Sequence, residues 1–307
     1  MIDELIHYRV SPGSVPEKSQ TLAQLAKELF FDVYHLEEIE TLLRSQKHQV
    51  VFYGPPGTGK TWVARKLAAY LAGDSNKVKL IQFHPSYAYE DFIEGYRPRL
   101  LLGGQPGFEL VSGPLKTVAA LCENDPNSTY VLIIDEINRG NLAKVFGELY
   151  FLLEYRNETI ELQYSAKEFR LPDNLWIIGT MNTADRSIAI VDGALRRRFW
   201  FYEFSPSTIP VRDVLRRWLT INKPDYLWLA DVIDHANTAL KDTESAIGPS
   251  YFMLPDLDDT WIKRIWGHMV MPYIRELLFG QEERLNEFEL EILKKAVIKE
   301  EELSDEL

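Results

Sequence analysis

The chain has a single cysteine, Cys122, in 307 residues. A lone thiol excludes an internal disulfide and fits a reducing cytosol, so a cytoplasmic location is expected. Long hydrophobic runs are also missing. No stretch of about 18 apolar residues occurs, so no membrane-spanning helix is expected. The opening Met1-Ile2-Asp3-Glu4 is acidic and shows no apolar core of a signal peptide. Positive charge is scarce, with 34 Lys and Arg against 46 Asp and Glu, for a net charge of -12. Non-specific affinity for nucleic acid comes mostly from Lys and Arg neutralising phosphates. The chain as a whole therefore repels a polyanion, and any contact with DNA is expected through a local patch, another domain or a partner. There is no fixed-period repeat and no low-complexity stretch, and the acidic end from Glu300 to Glu306 reads as a solvated tail or the end of a helix.

What is present is more specific. Hydrophobic residues make up 46% of the chain, enough to build a large core. Gly54-Pro55-Pro56-Gly57-Thr58-Gly59-Lys60-Thr61 is a complete phosphate-binding loop of the form G-x-x-x-x-G-K-[ST]. The apolar run Val50-Val51-Phe52-Tyr53 before it reads as a buried strand, and Trp62 to Leu71 after it reads as a helix. Glycines let the loop curl its amides toward phosphate oxygens, and the helix N-terminus adds a positive dipole end. Lys60 can then reach the β- and γ-phosphates, and the Thr61 hydroxyl can ligate Mg²⁺. The chain is expected to bind a nucleoside triphosphate.

Two helical patterns fill Ser19 to about Lys47, with Leu22, Leu25 and Leu29 on one face, then Leu36, Ile39, Leu42 and Leu43. Val78 to Phe83, Tyr130 to Ile134 and Leu175 to Thr180 read as further strands. Leu100 to Leu102 with Phe108 to Val111 reads as a hairpin, as does Thr159 to Tyr164 with Phe169 to Leu171. A single helix is expected over Leu142 to Tyr155. The aromatic segment Tyr87, Tyr89, Phe92 suits a core better than a pore lining. Apolar strands alternating with helices predict an α/β fold with a parallel sheet flanked by helices. The pattern turns mostly helical near Ser205 to Pro210. The expected organisation is an N-terminal helical segment (1–47), a large α/β nucleotide-binding domain (48–205) and a helical domain (206–307).

Three constellations refine the chemistry. Val131 to Ile134 delivers Asp135 toward the Mg²⁺ shell, and Glu136 can polarise the attacking water as a general base. Asn182, at the end of the next buried strand, can hold that water near the γ-phosphate. Asn182-Thr183-Ala184-Asp185 superficially matches the guanine-reading N-K-x-D motif, but the lysine is missing and the strand order places it near the γ-phosphate. Arg196-Arg197-Arg198 lies between apolar flanks and so belongs to a packed element. Either it is a plain basic patch, or its guanidinium groups insert into a neighbouring subunit's site as arginine fingers.

These residues, with Asp135 to Leu142, Met181-Asn182-Thr183-Ala184-Asp185-Arg186-Ser187 and Ala194 to Phe199, resemble the McrB family. Its members are AAA+ GTPase subunits of modification-dependent restriction systems. Supporting matches are Gln82 to Tyr87, Tyr89 to Ile93, Gly95 to Pro98 and Ser250-Tyr251-Phe252, so the likeness spans roughly residues 50 to 255. It implies an AAA+ P-loop fold with a C-terminal helical lid, a hexameric ring, GTP rather than ATP, and a McrC-type nuclease partner. By motif, Gly54 to Thr61 with Asp135 would hold nucleotide and Mg²⁺, with Thr61 and Asp135 as the metal ligands. Glu136, Asn138 and Asn182 would organise the γ-phosphate side, Arg197 and Arg198 would be the fingers, and Asp185 with Arg186 would hold the interface.

Two departures qualify the resemblance. Barely 45 residues precede the phosphate-loop strand, so the DNA-reading domain of full-length relatives is expected elsewhere, in a longer chain or in a partner. The lid segment Ile247 to Phe252 offers no arginine for the second sensor common in other AAA+ proteins. In addition, no lysine has Asp or Glu two positions before it, so the Glu-x-Lys half of a common restriction-nuclease metal site is missing. No DNA cleavage by this chain is expected. Two other readings fit the same residues: an ATP-dependent remodelling chaperone, and a nucleotide-gated scaffold with little hydrolysis of its own.

Overall fold

A computed structural model describes residues 20–100, 105–184 and 193–305. Thr21 caps α1 (Leu22–Leu29) through a reciprocal box: its Oγ1 accepts from the Gln24 amide, and the Gln24 side chain accepts from the Thr21 amide. After α2 (Val33–Arg44) the chain enters β1 (Gln49–Gly54), α3 (Lys60–Ala72) and β2 (Val78–Gln82). A short α4 (Tyr89–Phe92) leads into an antiparallel hairpin of β3 (Glu94–Leu100) and β4 (Pro106–Ser112). Then come α5 (Pro114–Asn124), β5 (Tyr130–Asp135), α6 (Leu142–Phe146) and α7 (Leu149–Leu152). A two-residue pairing of β6 (Ile160–Glu161) with β7 (Glu168–Phe169) precedes β8 (Leu175–Asn182), α8 (Gly193–Arg198) and β9 (Trp200–Glu203).

Five strands form one parallel sheet in the order β2-β5-β8-β1-β9. The inner strands are apolar along their length because both faces are covered. Val51, Leu132, Ile134 and Ile177 point to a core shared with α5, while Val50, Phe52, Val131, Ile133 and Ile178 point to one shared with α1, α2 and α3. Of the expected stripe of the N-terminal helices, Leu25, Leu29, Leu36, Ile39 and Leu43 are buried in that second core, while Leu22 and Leu42 are half-buried. Parallel pairing puts the carboxyl ends of β1, β5 and β8 side by side, where such sheets bind ligands.

Three local expectations change. The single helix over Leu142 to Tyr155 is two short ones, because Gly147 between them has φ 50° and ψ -131°, and a Cβ there would lie 2.9 Å from the Tyr89 ring. The first hairpin starts earlier than its apolar residues suggest, at Glu94, because Gly95 to Arg99 pair across to Val111 to Gly107. The second hairpin shrinks to two residues per strand. The aromatic segment is core: Tyr89 and Phe92 are buried with Phe83 and Phe146, and Tyr87 stacks on Phe83 at 4.7 Å.

Helices α9 (Val214–Asn222), α10 (Trp228–Leu240), α11 (Asp259–Ile265), α12 (Met271–Leu277) and α13 (Leu290–Asp305) enclose a separate apolar core that includes Leu229, Ile233, Phe252, Trp266 and Phe288. Each such side chain contributes roughly 1.5–3 kcal/mol when fully buried. No helix among the described residues is long and apolar enough to cross a membrane.

Candidate functional site

The loop from Gly54 to Thr61 leaves the carboxyl end of β1 and enters α3 at Lys60. Gly57 has φ +75°, and a Cβ on it would lie 2.7 Å from the Tyr251 ring. The contact comes from the helical lid. A Cβ on Gly248 would meet the Gly57 carbonyl at 2.2 Å, and the Ser250 amide donates to Gly57 O at 2.9 Å. Pro55 and Pro56 fix the entry to the loop, and the Thr58 hydroxyl donates to Pro55 O at 3.0 Å.

Lys60 is only 6% exposed. Its ammonium donates to Gly54 O at 2.9 Å and to Pro55 O at 2.7 Å, and lies 3.2 Å from the Thr58 hydroxyl. Burial pushes its pKa down to about 8, with the charges of Glu136 and Asp135 opposing that only in part. An anion delivered to this loop would restore the charge.

The carboxyl end of β5 carries the two expected acids. Asp135 Oδ1 accepts from the Thr61 hydroxyl at 2.7 Å and from the Thr180 hydroxyl at 2.5 Å. Thr180 also accepts from the Glu136 amide at 3.3 Å, so one hydroxyl ties both acids to β8. The oxygen-only set of Thr61 and Asp135 suits a hard divalent cation completed by phosphates and water. Glu136 has φ 53°, a left-handed backbone that costs a non-glycine residue of order 1–3 kcal/mol and recurs at functional sites. Its carboxylate accepts from the Asn182 side-chain amide and from Arg139 Nε at 3.1 Å. Asn182 is paired in register with Gly54 across the β1–β8 ladder, which brings the phosphate loop and Glu136 together. Asn138 is 7% exposed; its amide donates to Asn182 O at 3.2 Å, and its Oδ1 is buried without a hydrogen-bond partner. That orphaned acceptor is available to a water of a bound nucleotide–cation complex.

The arginine run divides. Arg198 is drawn inward: it pairs with Glu154 at 2.9 Å, lies over the Tyr150 ring at 4.7 Å, and its carbonyl accepts from Gln49 at 2.6 Å. Gln49 opens β1 and Gly54 closes it, so Arg198 sits about 16 Å from the phosphate loop at roughly 3.3 Å per residue. Arg196 is exposed with its guanidinium 5.6 Å from the Phe201 ring, and Arg197 is exposed. The structure therefore brings Gly54 to Thr61, Asp135, Glu136, Asn138 and Asn182 together and leaves the arginines outside that cluster. Asp185 and Arg186 lie outside the described residues.

Sequence reasoning missed three features. Thr180, a hydroxyl two residues before Asn182 in an apolar strand, was the available signal for the first. The lid contact through Gly248, Ser250 and Tyr251 had no chemical signature beyond a Gly-Pro turn. The third is a cleft of about 450 Å³ beside Thr58 and Gly59, walled by Phe30, Phe31, Trp62, Trp218 and Met253. Its walls come from four distant parts of the chain, and its size and aromatic lining suit a purine nucleoside.

Known proteins resemble this chain in sequence. Residues 49–199 match the family model for the AAA domain of the dynein-related subfamily, and residues 229–286 match that for the McrB alpha-helical lid domain. The chain is 34% identical over 310 residues to the type IV methyl-directed restriction enzyme EcoKMcrB subunit of Escherichia coli (strain K12), covering 91% of this chain and 66% of that protein. It is 26% identical over 285 residues to the type II restriction enzyme BsuMI component YdiS of Bacillus subtilis (strain 168), covering 78% and 81%. A parallel five-stranded P-loop domain joined to a lid of this type is an AAA+ nucleoside triphosphatase, and the chain belongs to the McrB family.

Proposed function

We propose that this chain hydrolyses GTP as the motor subunit of a hexameric ring and drives a McrC-type nuclease partner in the cleavage of modified DNA. It would do so in the cytoplasm, with DNA contacted by the partner or by another domain. The division of labour would follow the helical segment 1–47, the nucleotide-binding domain 48–205 and the lid 206–307. The observation that carries the reading is the cluster at the sheet's carboxyl edge, where Glu136 and Asn182 hold each other beside Asp135–Thr61 and the phosphate loop. The restriction roles printed for the two relatives support the biological context.

In this reading the triphosphate lies along the loop amides, with Lys60 leaving the Gly54 and Pro55 carbonyls for the β- and γ-phosphates. Thr61 and Asp135 would hold Mg²⁺, which when bound neutralises charge on the phosphates. Asn182 and Asn138 position the attacking water. Glu136 accepts its proton. Arg197 arrives from a neighbouring subunit, since it is exposed and stands outside the cluster around its own chain's loop. Light scattering and phosphate release with GTP or ATP at matched concentration test the proposal together. The expected result is a hexameric mass and turnover with GTP. Turnover of ATP with GTP inert would remove the GTPase reading.

A further inference from the structure

The cleft beside the phosphate loop is walled by apolar and aromatic groups, and one charged side chain lines it, Glu28 at the carboxyl end of α1. The carboxylate is fixed in place: Lys66 Nζ sits 2.6 Å from Oε1 and Gln20 Nε2 donates to Oε2 at 3.0 Å. Burial alone would raise its pKa, but the hydrogen bonds from Lys66 and Gln20 outweigh this and hold the group below its usual value. The neighbouring wall is held too. The Phe30 carbonyl accepts from Arg217 Nη1 at 3.0 Å, and Arg217 Nη2 reaches Asp32 at 3.1 Å, which ties the α1–α2 turn to α9.

A purine seated between these walls with its N1 edge toward Glu28 would face a carboxylate, and the two purines differ at that edge in sign. Guanine presents N1–H and the N2 amino group side by side, two donors that match the two oxygens of a carboxylate. Adenine presents the N1 lone pair, which a carboxylate repels. The phosphate-loop residues that line the cleft, Thr58 and Gly59, carry no charge to set against the base edge. We propose that Glu28 is the residue that selects guanine, accepting from N1–H and N2–H in the cleft beside the phosphate loop. This rests on the reading of the site as a GTP site.

The test is equilibrium binding of GTP, inosine triphosphate and ATP to the whole chain and to its Glu28→Ala and Glu28→Gln variants. Fluorescence of Trp62 and Trp218 in the cleft walls serves as readout, and each variant is also melted. The wild type should bind GTP tightest, inosine triphosphate (which lacks the N2 amino group) less tightly, and ATP weakest. Glu28→Ala should weaken GTP by about ten- to a hundredfold, the size of hydrogen bonds to a charged acceptor, and leave ATP within about threefold. Glu28→Gln, which keeps one acceptor oxygen, should fall between. An unchanged GTP-to-ATP ratio in Glu28→Ala overturns the proposal, as does an equal loss for all three nucleotides, which would mark a purely structural carboxylate. A wild type that binds ATP as tightly as GTP fails the GTP reading itself, and Glu28 with it.

Discussion

The acids at the end of β5 and the arginines of α8 contrast sharply in how their side chains are used. Asp135, Glu136 and Asn182 are each held by partners within the chain, through Thr61, Thr180, Asn138 and Arg139. The arginine run is divided between the fold and the solvent. Arg198 is committed to Glu154 and Tyr150, whereas Arg197 is exposed. The difference teaches how such a site is assembled. Groups that must keep their geometry are preorganised in one chain, and under the proposed ring the exposed arginine is the charge that would arrive on assembly.

The largest effect should come from separating the two arginines. In the proposed ring, Arg197→Ala is expected to cut GTP turnover by about a thousandfold, the lower range for loss of an arginine finger, with the melting temperature unchanged. Arg198→Ala should instead strip a half-buried ion pair and the contact with the Tyr150 ring, and destabilise the fold by about 1–3 kcal/mol, seen as a lower denaturation midpoint. If Arg197→Ala melts early and Arg198→Ala does not, the inward and outward assignments are reversed.

A smaller effect concerns Lys60 on the preorganised side. Its pKa is about 8 in the folded chain against about 10.5 for a solvated lysine. Below pH 8 both folded and unfolded chains carry the proton. Between about pH 8 and 10.5 the unfolded chain binds more, so this group makes stability rise with pH across that window. Triphosphate raises this pKa again, so Lys60 should take up a fraction of a proton on binding at pH 8.5 and contribute none at pH 6.5, where the terminal phosphate's own ionisation dominates. Calorimetry in two buffers of different ionisation enthalpy reads this directly. Buffer-independent heats at pH 8.5 would show that Lys60 stays fully charged in the empty loop.

Most of the sheet was legible because its inner strands are buried on both faces and so carry unbroken apolar runs, as in Val131 to Ile134. The phosphate end of the site was legible for a related reason: loop amides, lysine and hydroxyl must follow one another along the chain. The base end was not. Phe30, Trp62, Trp218 and Met253 are ordinary apolar residues until the α1–α2 turn, α3 and the lid converge. The lid's grip on Gly57 was equally hidden, since a backbone amide and a glycine carry no sign of their partner. The helix expected over Leu142 to Tyr155 was misread because Gly147 lies within an otherwise helical pattern, and the Tyr89 ring that leaves no room for a Cβ there comes from a distant part of the chain.

Glu136 is proposed to take the proton of the attacking water in a site whose other groups, apart from the incoming arginine, come from one chain. Single-turnover GTP hydrolysis by Glu136→Gln, measured beside its GTP dissociation constant, tests it most directly. The account predicts a dissociation constant within about threefold of wild type and a rate lower by roughly a hundred- to ten-thousandfold. An unchanged rate at normal affinity would contradict it.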